Sequence, residues 1–580
     1  MKSTNLLHLV LVLVLIPVCC GSEKAELPKP VHDVAIMDIS APSTCKQGHT
    51  VPVTISLANQ GTRRETFRVT LSEDATGKEI ASQEVTLAKG WKDGSEDVAD
   101  LIFDAETNET NELSNSMDSS GDVNGDGYDD LLINACYWHG GQGRVYLYYG
   151  GRNMDNVADK VFTGEAVGDC FGDMAGTLGD MNGDGYYDVV VGARGYHNSG
   201  DGWGDGRVYI YYGAPNMDNI ADVILEGEAG QRGCFGTDLK AGDVDNDGYD
   251  DLLVGACVMN SWRGRSYLFW GGNPLDTTAD VVFDGEHEND WFGRQARVGG
   301  DVNGDGYNDI IIGAKLWDAN GGDDKFGRAY FYYGNTQENM DGTADKVFSG
   351  ETRKDEFSTA LDLFDIDNDD FAEVIIGARY AGNGRGRVYL YWGANDFGGS
   401  SPDMILQGKP GESMGCGDFA CGYFNNDDFG DILTGAFTYP DPHYPRMMGR
   451  AYIFNGNTRA SMDQLADYIF EGESGQNGRF GSAATSADFN NDNYDDVVVG
   501  AWGYKNSQGR AYLYYGPFEN TTDITFNWDT TNTSPGKHTL KASIAPVAGE
   551  EDMADNTMTV TIEVNRLSKT VSTPRELNQQ

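Results

Sequence analysis

Short runs of apolar residues recur along the chain, each bounded by glycine or by an acidic turn. LLINA at 131–135 and VVVGA at 189–193 are two of seven such runs. Their length and their β-branched residues favour buried strands. Each run is followed by a tyrosine-rich segment such as GRVYLYYG at 143–150, and then by one such as ADKVFTGE at 158–165. Both compositions also predict strands, and the pattern shows no helical periodicity.

These strands belong to a unit that occurs seven times. An acidic loop marks each copy, and the loops start at residues 122, 180, 243, 301, 365, 423 and 488. A small-residue segment before each loop brings the count to four strands per copy. A lone four-stranded sheet exposes both faces, whereas sheets stacked in a ring bury them. We therefore predict an all-β fold with a seven-bladed β-propeller over residues 97–517. A linear solenoid is the alternative, but it would require atypical end copies.

The acidic loops carry oxygen donors at alternate positions. In copy one, DVNGDGYDD from Asp122, positions 1, 3, 5 and 9 are Asp or Asn and position 7 offers a backbone carbonyl. Gly127 at position 6 permits a tight turn, and hard oxygen donors in such a loop suit Ca²⁺. The predicted metal ligands of the six best copies are Asp122, Asn124, Asp126, Tyr128, Asp130; Asp180, Asn182, Asp184, Tyr186, Asp188; Asp243, Asp245, Asp247, Tyr249, Asp251; Asp301, Asn303, Asp305, Tyr307, Asp309; Asp365, Asp367, Asp369, Phe371, Glu373; and Asp488, Asn490, Asp492, Tyr494, Asp496.

Copy six departs from this pattern. Tyr423 stands at its position 1, which leaves Asn425, Asp427 and Asp431, so we expect a weak or empty site. A single loop of this kind could be an ordinary Asp-rich turn, and strands on both sides argue against an EF-hand. The sequence predicts about six Ca²⁺ ions and a weak seventh, with a structural role, because the clustered carboxylates would otherwise repel.

The composition and net charge exclude several classes of protein. The 580 residues include 91 Asp and Glu against 42 Lys and Arg, for a formal net charge of −49. That charge would repel nucleic-acid phosphates, so no nucleic-acid partner is expected. The many aromatics argue against a disordered acidic chain, and the 77 glycines against a helical one. A divalent cation is the first candidate to explain the excess of acids, and the predicted ligand positions account for part of that excess.

The N-terminus predicts export. Lys2 is followed by an apolar run over 6–18 and by small residues, which is the layout of a signal peptide over residues 1–22. Cys19 or Cys20 could instead carry a lipid anchor. We expect a secreted or cell-surface protein without a transmembrane anchor, and a disordered tail over 567–580. Among the seven remaining cysteines, Cys234 could pair with Cys257, and Cys136 with Cys170.

Two flanking segments, 31–96 and 520–566, alternate as strands without the repeat. Read together they predict one β-sandwich that the propeller interrupts. A closed ring brings its own ends together, so such an insertion is physically simple. Two small unrelated β segments are the alternative.

The repeated residues resemble the FG-GAP repeats of integrin α-subunit propellers. The family pattern is Phe-Gly, as at 171–172 and 235–236, then a calcium loop, then Gly-Ala-Pro; the resemblance covers about 98–516. The Pro is absent here, and copy one has Leu113-Ser114 in place of Phe-Gly. The resemblance implies that an N-terminal strand, predicted at 99–106 with 522–529 as its rival, completes the last blade. The flanking segments resemble a CARDB domain, an immunoglobulin-like sandwich.

The resemblance also implies that ligands bind at the loops after Gly-Ala and before Phe-Gly, opposite the calcium loops. These loops are rich in aromatics, and the candidates for a ligand face are Trp138, Trp203, Trp262, Trp317, Tyr380, Tyr439 and Trp502. Packing between neighbouring loops is the alternative for these rings. With no nucleophile or zinc motif in the sequence, we expect not an enzyme but a binding or adhesion module for an extracellular protein or glycan. A propeller enzyme acting on polysaccharide and a purely structural surface module are the alternatives.

Overall fold

The computed structural model describes residues 34–59, 65–87, 99–106, 110–119, 121–197, 203–319, 324–440, 446–518, 521–547 and 556–566. The predicted signal peptide, Cys19 and Cys20, and the predicted tail over 567–580 lie outside these residues. The chain divides into two compact units. Unit 1 contains Met1–Val85, Lys89–Trp91 and Asp523–Gln580, and unit 2 contains Thr86–Ala88 and Lys92–Thr522.

Unit 1 is built from strands of both its segments. One sheet has the order β1 (Val34–Ser40), β3 (Thr50–Asn59), β34 (Thr521–Asp529). The other has the order β2 (Thr44–Lys46), β36 (Thr557–Asn565), β35 (Gly536–Ile544), β4 (Glu65–Glu73), β5 (Lys78–Leu87). Alternate residues of β3 are buried, as expected for strands with one face on a core. The predicted sandwich and its boundaries stay a prediction.

Unit 2 contains seven four-stranded antiparallel sheets within the described residues, one for each sequence repeat. The first strands are β7 (Met117–Asp118), β11 (Phe171–Gly179), β15 (Leu239–Gly242), β19 (Gln295–Val298), β23 (Phe357–Phe364), β27 (Phe419–Gly422) and β31 (Ala484–Ala487). The second strands are β8 (Leu131–Ala135), β12 (Asp188–Ala193), β16 (Asp251–Ala256), β20 (Ile310–Ala314), β24 (Glu373–Ala378), β28 (Asp431–Ala436) and β32 (Asp496–Gly500).

The third strand of each sheet begins with an arginine. The third strands are β9 (Arg144–Tyr148), β13 (Arg207–Tyr211), β17 (Arg265–Phe269), β21 (Arg328–Tyr332), β25 (Arg387–Tyr391), β29 (Arg450–Phe454) and β33 (Arg510–Tyr514). The fourth strands are β10 (Lys160–Thr163), β14 (Val223–Glu226), β18 (Val281–Asp284), β22 (Lys346–Ser349), β26 (Met404–Gln407), β30 (Tyr468–Glu471) and, in the last sheet, β6 (Leu101–Asp104).

The last sheet is therefore completed by the N-terminal strand β6, as the sequence predicts. Leu101–Asp104 pairs antiparallel with Arg510–Leu513. The rival segment lies in β34, beside β3 of unit 1. Each first strand contacts the first strand of the next sheet, and β31 contacts β7. An all-β unit of four-stranded sheets with this closure is consistent with a β-propeller.

The core of unit 2 lies between neighbouring sheets. One cluster joins the last sheet to the first through Phe103, Leu131, Phe489 and Leu513, all almost fully buried. Leu113 takes the place that phenylalanine holds in other copies, since it bridges Gly509 as Phe235 bridges Gly206. Gly206 has a φ of 88°, and a Cβ there would lie 2.2 Å from the Phe235 carbonyl oxygen, so this contact requires glycine.

Helix is almost absent from the described residues. Four four-residue helical turns follow second strands: α1 (Trp138–Gly141), α2 (Met259–Trp262), α3 (Ala381–Gly384) and α4 (Tyr504–Ser507). Each contains three residues with positive φ, such as Asn260, Ser261 and Trp262 in α2, so they are turns rather than regular helices. None of the helices in the described part of the chain has the length and apolar character needed to cross a membrane.

Candidate functional site

The acidic loops lie between the first and second strands, where the position 1 carboxylate organises the backbone. Asp122 Oδ1 accepts hydrogen bonds from the backbone N–H of Gly125 (2.7 Å) and Asp126 (3.2 Å), and Oδ2 accepts one from Gly127 (2.7 Å). Asp126 Oδ1 in turn accepts the N–H of Tyr128. Gly125 and Gly127 have φ values of 77° and 88°. The alternating acids and glycines therefore wrap the backbone around one point.

The position 9 carboxylate ties each loop to the end of the third strand. In loop three, Asp251 Oδ2 accepts the N–H of Val244 and Oδ1 accepts that of Gly271, both at 2.8 Å. The same pair of contacts occurs at Asp130, Asp188, Asp309, Glu373, Asp431 and Asp496. All seven loops share these two hydrogen bonds. The pattern of predicted metal ligands did not indicate them.

Burial makes these carboxylates costly to charge. Loss of solvent raises the pKa of Asp130 and Asp188 to about 7, and that of Asp251, Asp309, Glu373 and Asp431 to about 8, although the two backbone N–H donors oppose the shift. Neighbouring loop carboxylates add repulsion in the same direction. A nearby cation would relieve both effects.

The oxygens converge where a metal ion could bind. Carboxylate oxygens of Asp243, Asp245 and Asp251 in loop three lie within 4.8 Å of one another, as do those of Asp365, Asp367 and Glu373 in loop five. At position 3, Asn182 Oδ1 and Asp367 Oδ1 are buried without a hydrogen-bond partner. Buried oxygens normally have partners, so these loops have donors that fit a hard divalent cation.

Loop six has a different backbone. Asn426 and Asp428, both described, lack the positive φ that positions 4 and 6 take in loop five (Asn368, 55°; Asp370, 69°). Tyr423 supplies no carboxylate to hold those turns, while its own N–H bonds to Asp495 of the next loop. The structure thus brings Asn425, Asp427 and Asp431 together without the first ligand.

Loops three and five receive a side chain from the following repeat. Arg459 Nε lies 2.6 Å from Asp367 Oδ2, and Arg459 Nη2 lies 2.5 Å from Asp369 Oδ2 and 2.7 Å from the Gly393 carbonyl oxygen. The related Gln337 donates to Asp247 Oδ2 of loop three at 3.3 Å. A guanidinium thus contacts two predicted metal ligands of loop five. The sequence pattern gave no sign of this, because Arg459 lies about 90 residues away.

At the opposite end of the strands, several aromatic candidates pack against arginines. The Arg144 guanidinium lies 3.6 Å from the Trp138 ring, Arg450 lies 3.6 Å from Tyr439, and Arg328 lies 3.4 Å from Trp317. Trp317 is buried, and its Nε1 donates to Glu286. These three contacts favour the packing alternative for Trp138, Tyr439 and Trp317.

Of the remaining candidates, Tyr380 is exposed and the three tryptophans are half-buried. Trp203, Trp262 and Trp291 form a chain of rings with centroid separations of 4.8 and 5.3 Å, and Trp291 was not among the sequence candidates. Trp502 lies under Arg479, and Tyr380 is 41% exposed beside Arg379. Trp203, Trp262, Tyr380 and Trp502 thus stay candidates for ligand contact.

Third-strand arginines form links between sheets that sequence reasoning missed. Arg510 donates to Asp104 of β6 and to Glu473 of the preceding repeat, each at 2.7 Å. Equivalent links join Arg144 to Glu106, Arg207 to Glu165, Arg265 to Glu228, Arg328 to Glu286 and Arg387 to Glu351. Two repeated dipeptides could have indicated these links. They are the Gly-Arg at the start of each third strand and the Gly-Glu after most fourth strands.

The cysteines of the described residues are free thiols, so the two suggested disulfides, Cys234–Cys257 and Cys136–Cys170, are absent. Burial raises the pKa of Cys234 to about 12 and that of Cys170 to about 11. These thiols therefore act as small apolar side chains in the core.

Comparison with known proteins agrees with the repeat. Residues 180–254 match the FG-GAP-like repeat family, and residues 118–148, 292–332 and 480–514 match the FG-GAP repeat. Integrin alpha-5 of Xenopus laevis is 36% identical over 166 residues, which are 26% of this chain and 15% of the integrin. Integrin alpha-7 of Rattus norvegicus is 37% identical over 157 residues, 25% of this chain and 13% of that protein.

A phosphatidylinositol-glycan-specific phospholipase D of Rattus norvegicus is 26% identical over 397 residues, 60% of this chain and 46% of the relative. The chain thus spans less than half the length of these relatives. Among solved structures, a Trypanosoma rangeli sialidase mutant aligns over 83% of this chain and 59% of its own, but at 11% identity and a TM-score of 0.27, too distant to bear on function. The sequence matches and the sheets together support an FG-GAP, integrin-like β-propeller.

Proposed function

We propose that this chain is an exported, calcium-stabilised propeller of seven blades that binds an extracellular protein or glycan. The observation that carries the proposal is the arrangement of each antiparallel first and second strand. Converging acidic loops lie at one end of these strands, and loops with half-buried and exposed aromatic rings lie at the other. The first end suits a structural cation, and the second suits a ligand.

Calcium would be held by positions 1, 3, 5 and 9 and by the position 7 carbonyl. The ion would offset the desolvation and repulsion that raise the pKa of the position 9 carboxylates. It would stabilise the folded chain by an amount that rises with the logarithm of the calcium concentration above the dissociation constant, because the unfolded loops have no preformed site. Extracellular calcium modules have dissociation constants of about 10⁻⁴–10⁻³ M, which suits a site filled outside the cell.

The loops differ in expected affinity. Loops one to four and loop seven keep the donor set, and we propose that they bind Ca²⁺ first. Loop five also keeps its donors, but an entering ion meets the positive charge of Arg459, which already pairs with Asp367 and Asp369. Loop six, without a position 1 carboxylate, is proposed to stay empty. The seven-blade count, the signal peptide and the split sandwich formed by 31–96 and 520–566 belong to the same proposal.

Ligand binding is assigned to the end opposite the calcium loops. Trp203, Trp262 and Trp502 are half-buried at that end, and aromatic rings bind both sugars and protein side chains. The test is a screen of the full chain in calcium buffer against glycan arrays and extracellular proteins, with Trp203→Ala and Trp502→Ala as variants. Ile220→Ala is the control, because Ile220 is 70% exposed near the acidic-loop end. Loss of a ligand in the tryptophan variants alone supports the proposal; no ligand, or equal loss in all variants, contradicts it.

A further inference from the structure

We infer that the loops around Lys354 form a binding site for an acidic saccharide, one that carries carboxylate or sulfate groups. This inference rests on the proposed binding function and assigns it a ligand class. The site is a cavity of about 450 Å³ lined by Lys325, Thr352, Arg353, Lys354, Tyr380 and Asn383, together with two acids. Its volume falls within the range of small-ligand sites, about 300–1,000 Å³.

The two acids that line the cavity each have a hydrogen-bond or ion-pair partner. Asp355 accepts hydrogen bonds from the backbone N–H of Thr352 at 2.8 Å and from its hydroxyl at 2.6 Å. Glu356 is buried and forms an ion pair with Arg379 at 2.5 Å. Glu356 is thus neutralised by Arg379 whereas Asp355 keeps its charge, and Lys325, Arg353 and Lys354 leave the lining with an excess of positive charge.

Two cationic residues of the lining contact Asp324. Arg353 forms an ion pair with Asp324, and the Lys354 N–H donates to the Asp324 carbonyl at 2.6 Å. Lys354 has a φ of 67°, which is uncommon for a residue other than glycine, and its side chain is exposed. The structure shows no ion pair for the Lys354 ammonium within the described residues. An anion in the cavity would meet this ammonium with little rearrangement.

The positive charge continues beyond the cavity. Glu356 connects it to Arg379, and the charges of Arg379 and Arg294, after burial itself, lower the pKa of Lys315 to about 7. The Lys315 ammonium lies 5.5 Å from the Trp291 ring. Arg294, Lys315 and Arg379 thus lie at the same end of the strands as the cavity, with Lys315 only partly protonated at neutral pH.

The net charge of −49 does not oppose this site strongly. The acidic loops lie at the other end of second strands that are five or six residues long, a distance of about 17–20 Å. Exposed charges that far apart are largely screened at physiological salt, where the Debye length is about 8 Å. Local cations therefore decide what the cavity accepts.

The lining favours a sugar over an acidic peptide. Tyr380 is 41% exposed, and the Arg379 guanidinium lies 4.7 Å from its ring centroid. A flat exposed ring beside cations suits a pyranose face with a charged substituent. Asn383 adds an amide donor of the kind that sugar hydroxyls accept, and the lining offers no large aliphatic side chain for peptide residues.

The test is calorimetric titration of the full chain in calcium buffer. The probes are a glucuronate-containing hexasaccharide, its carboxyl-reduced form, a sulfated hexasaccharide and a polyglutamate peptide. The variants are the double change Arg353→Gln, Lys354→Gln and the single change Tyr380→Ala. Arg152→Gln is the control, because Arg152 is exposed near the acidic-loop end.

We expect the glucuronate or the sulfated probe to bind, the two arms showing which group is preferred, and the reduced form not to bind. The double variant and Tyr380→Ala should each weaken binding at least about tenfold, whereas Arg152→Gln should not. Equal binding of the reduced form, tighter binding of polyglutamate, or binding that the double variant leaves unchanged would each overturn the inference. A neutral glycan or protein ligand found instead would overturn it while supporting the proposed function, and absence of any ligand would overturn both.

Discussion

Arg459 reaches from repeat six to Asp367 of loop five, where its Nε lies 2.6 Å from Asp367 Oδ2. The same guanidinium contacts Asp369. In loop three the neighbouring repeat supplies a neutral amide, Gln337, instead. Two loops with similar carboxylates thus differ in one positive charge that contacts two of the proposed metal ligands of loop five.

Exchanging these two residues should exchange the calcium affinities of the two loops. Arg459→Gln removes the competing charge, so loop five should bind Ca²⁺ more tightly. The number of ions bound per chain at low free calcium should then rise by about one. Gln337→Arg should lower stoichiometry by about one. Calorimetric calcium titration measures both. If neither variant changes the stoichiometry or affinity, Arg459 does not control the loop.

The position 9 carboxylate should have a calcium-dependent role in loop three but not in loop six. Asp251→Asn removes a proposed ligand and one hydrogen-bond acceptor, and it should cost about 1–3 kcal/mol of unfolding free energy in calcium. It should also reduce the shift in melting temperature caused by chelator. Asp431→Asn is the matched control, because Asp431 makes the same two backbone contacts in a loop proposed to be empty. An equal loss of chelator sensitivity in both variants would contradict the assignment.

The Arg510 link should hold the N-terminal strand to the last sheet. The Arg510 side chain is 11% exposed and contacts both Asp104 and Glu473. Arg510→Met should lower the unfolding free energy by about 1–3 kcal/mol and increase amide exchange in 101–104. Arg152→Gln should do neither. Stability and exchange at the wild-type level in Arg510→Met would show that β6 is held by its strand pairing alone.

Lys315 should make stability depend on pH above neutrality. Its pKa falls from 10.5 to about 7 because of burial and the charges of Arg294 and Arg379. Between these values the folded chain binds fewer protons than the unfolded chain, so this group makes stability rise with pH. Glu356 and Cys257 also face this lysine and act in the opposite direction.

Denaturant unfolding of calcium-saturated wild type and Lys315→Met between pH 6 and pH 9 tests this expectation. The free energy of unfolding of the wild type should rise relative to that of the variant over this interval. The wild type should therefore fall furthest below the variant at pH 6. Parallel curves for the two proteins would mean that Lys315 keeps its usual pKa.

Much of the fold was predictable because each repeat contains its own signals. The apolar runs, the Gly-Ala ends and the acidic loops specify local strands and turns, and the similarity of 99–106 to the fourth strands identified β6. Contacts between repeats were not predictable from local pattern. The Arg510–Glu473 link and the Arg459–Asp367 pair join residues 37 and 92 apart. The burial of Trp317 likewise depends on Arg328 and Glu286 rather than on its own loop.

The metal content of the calcium-equilibrated chain, measured by elemental analysis together with a melting scan in chelator, tests the central claim most directly. The proposal predicts five Ca²⁺ ions per chain at low free calcium, in loops one to four and seven. A sixth should bind in loop five as free calcium rises. It also predicts a clear fall in melting temperature when the ions are removed. One ion or none per chain, or a melting temperature that chelator leaves unchanged, would contradict it.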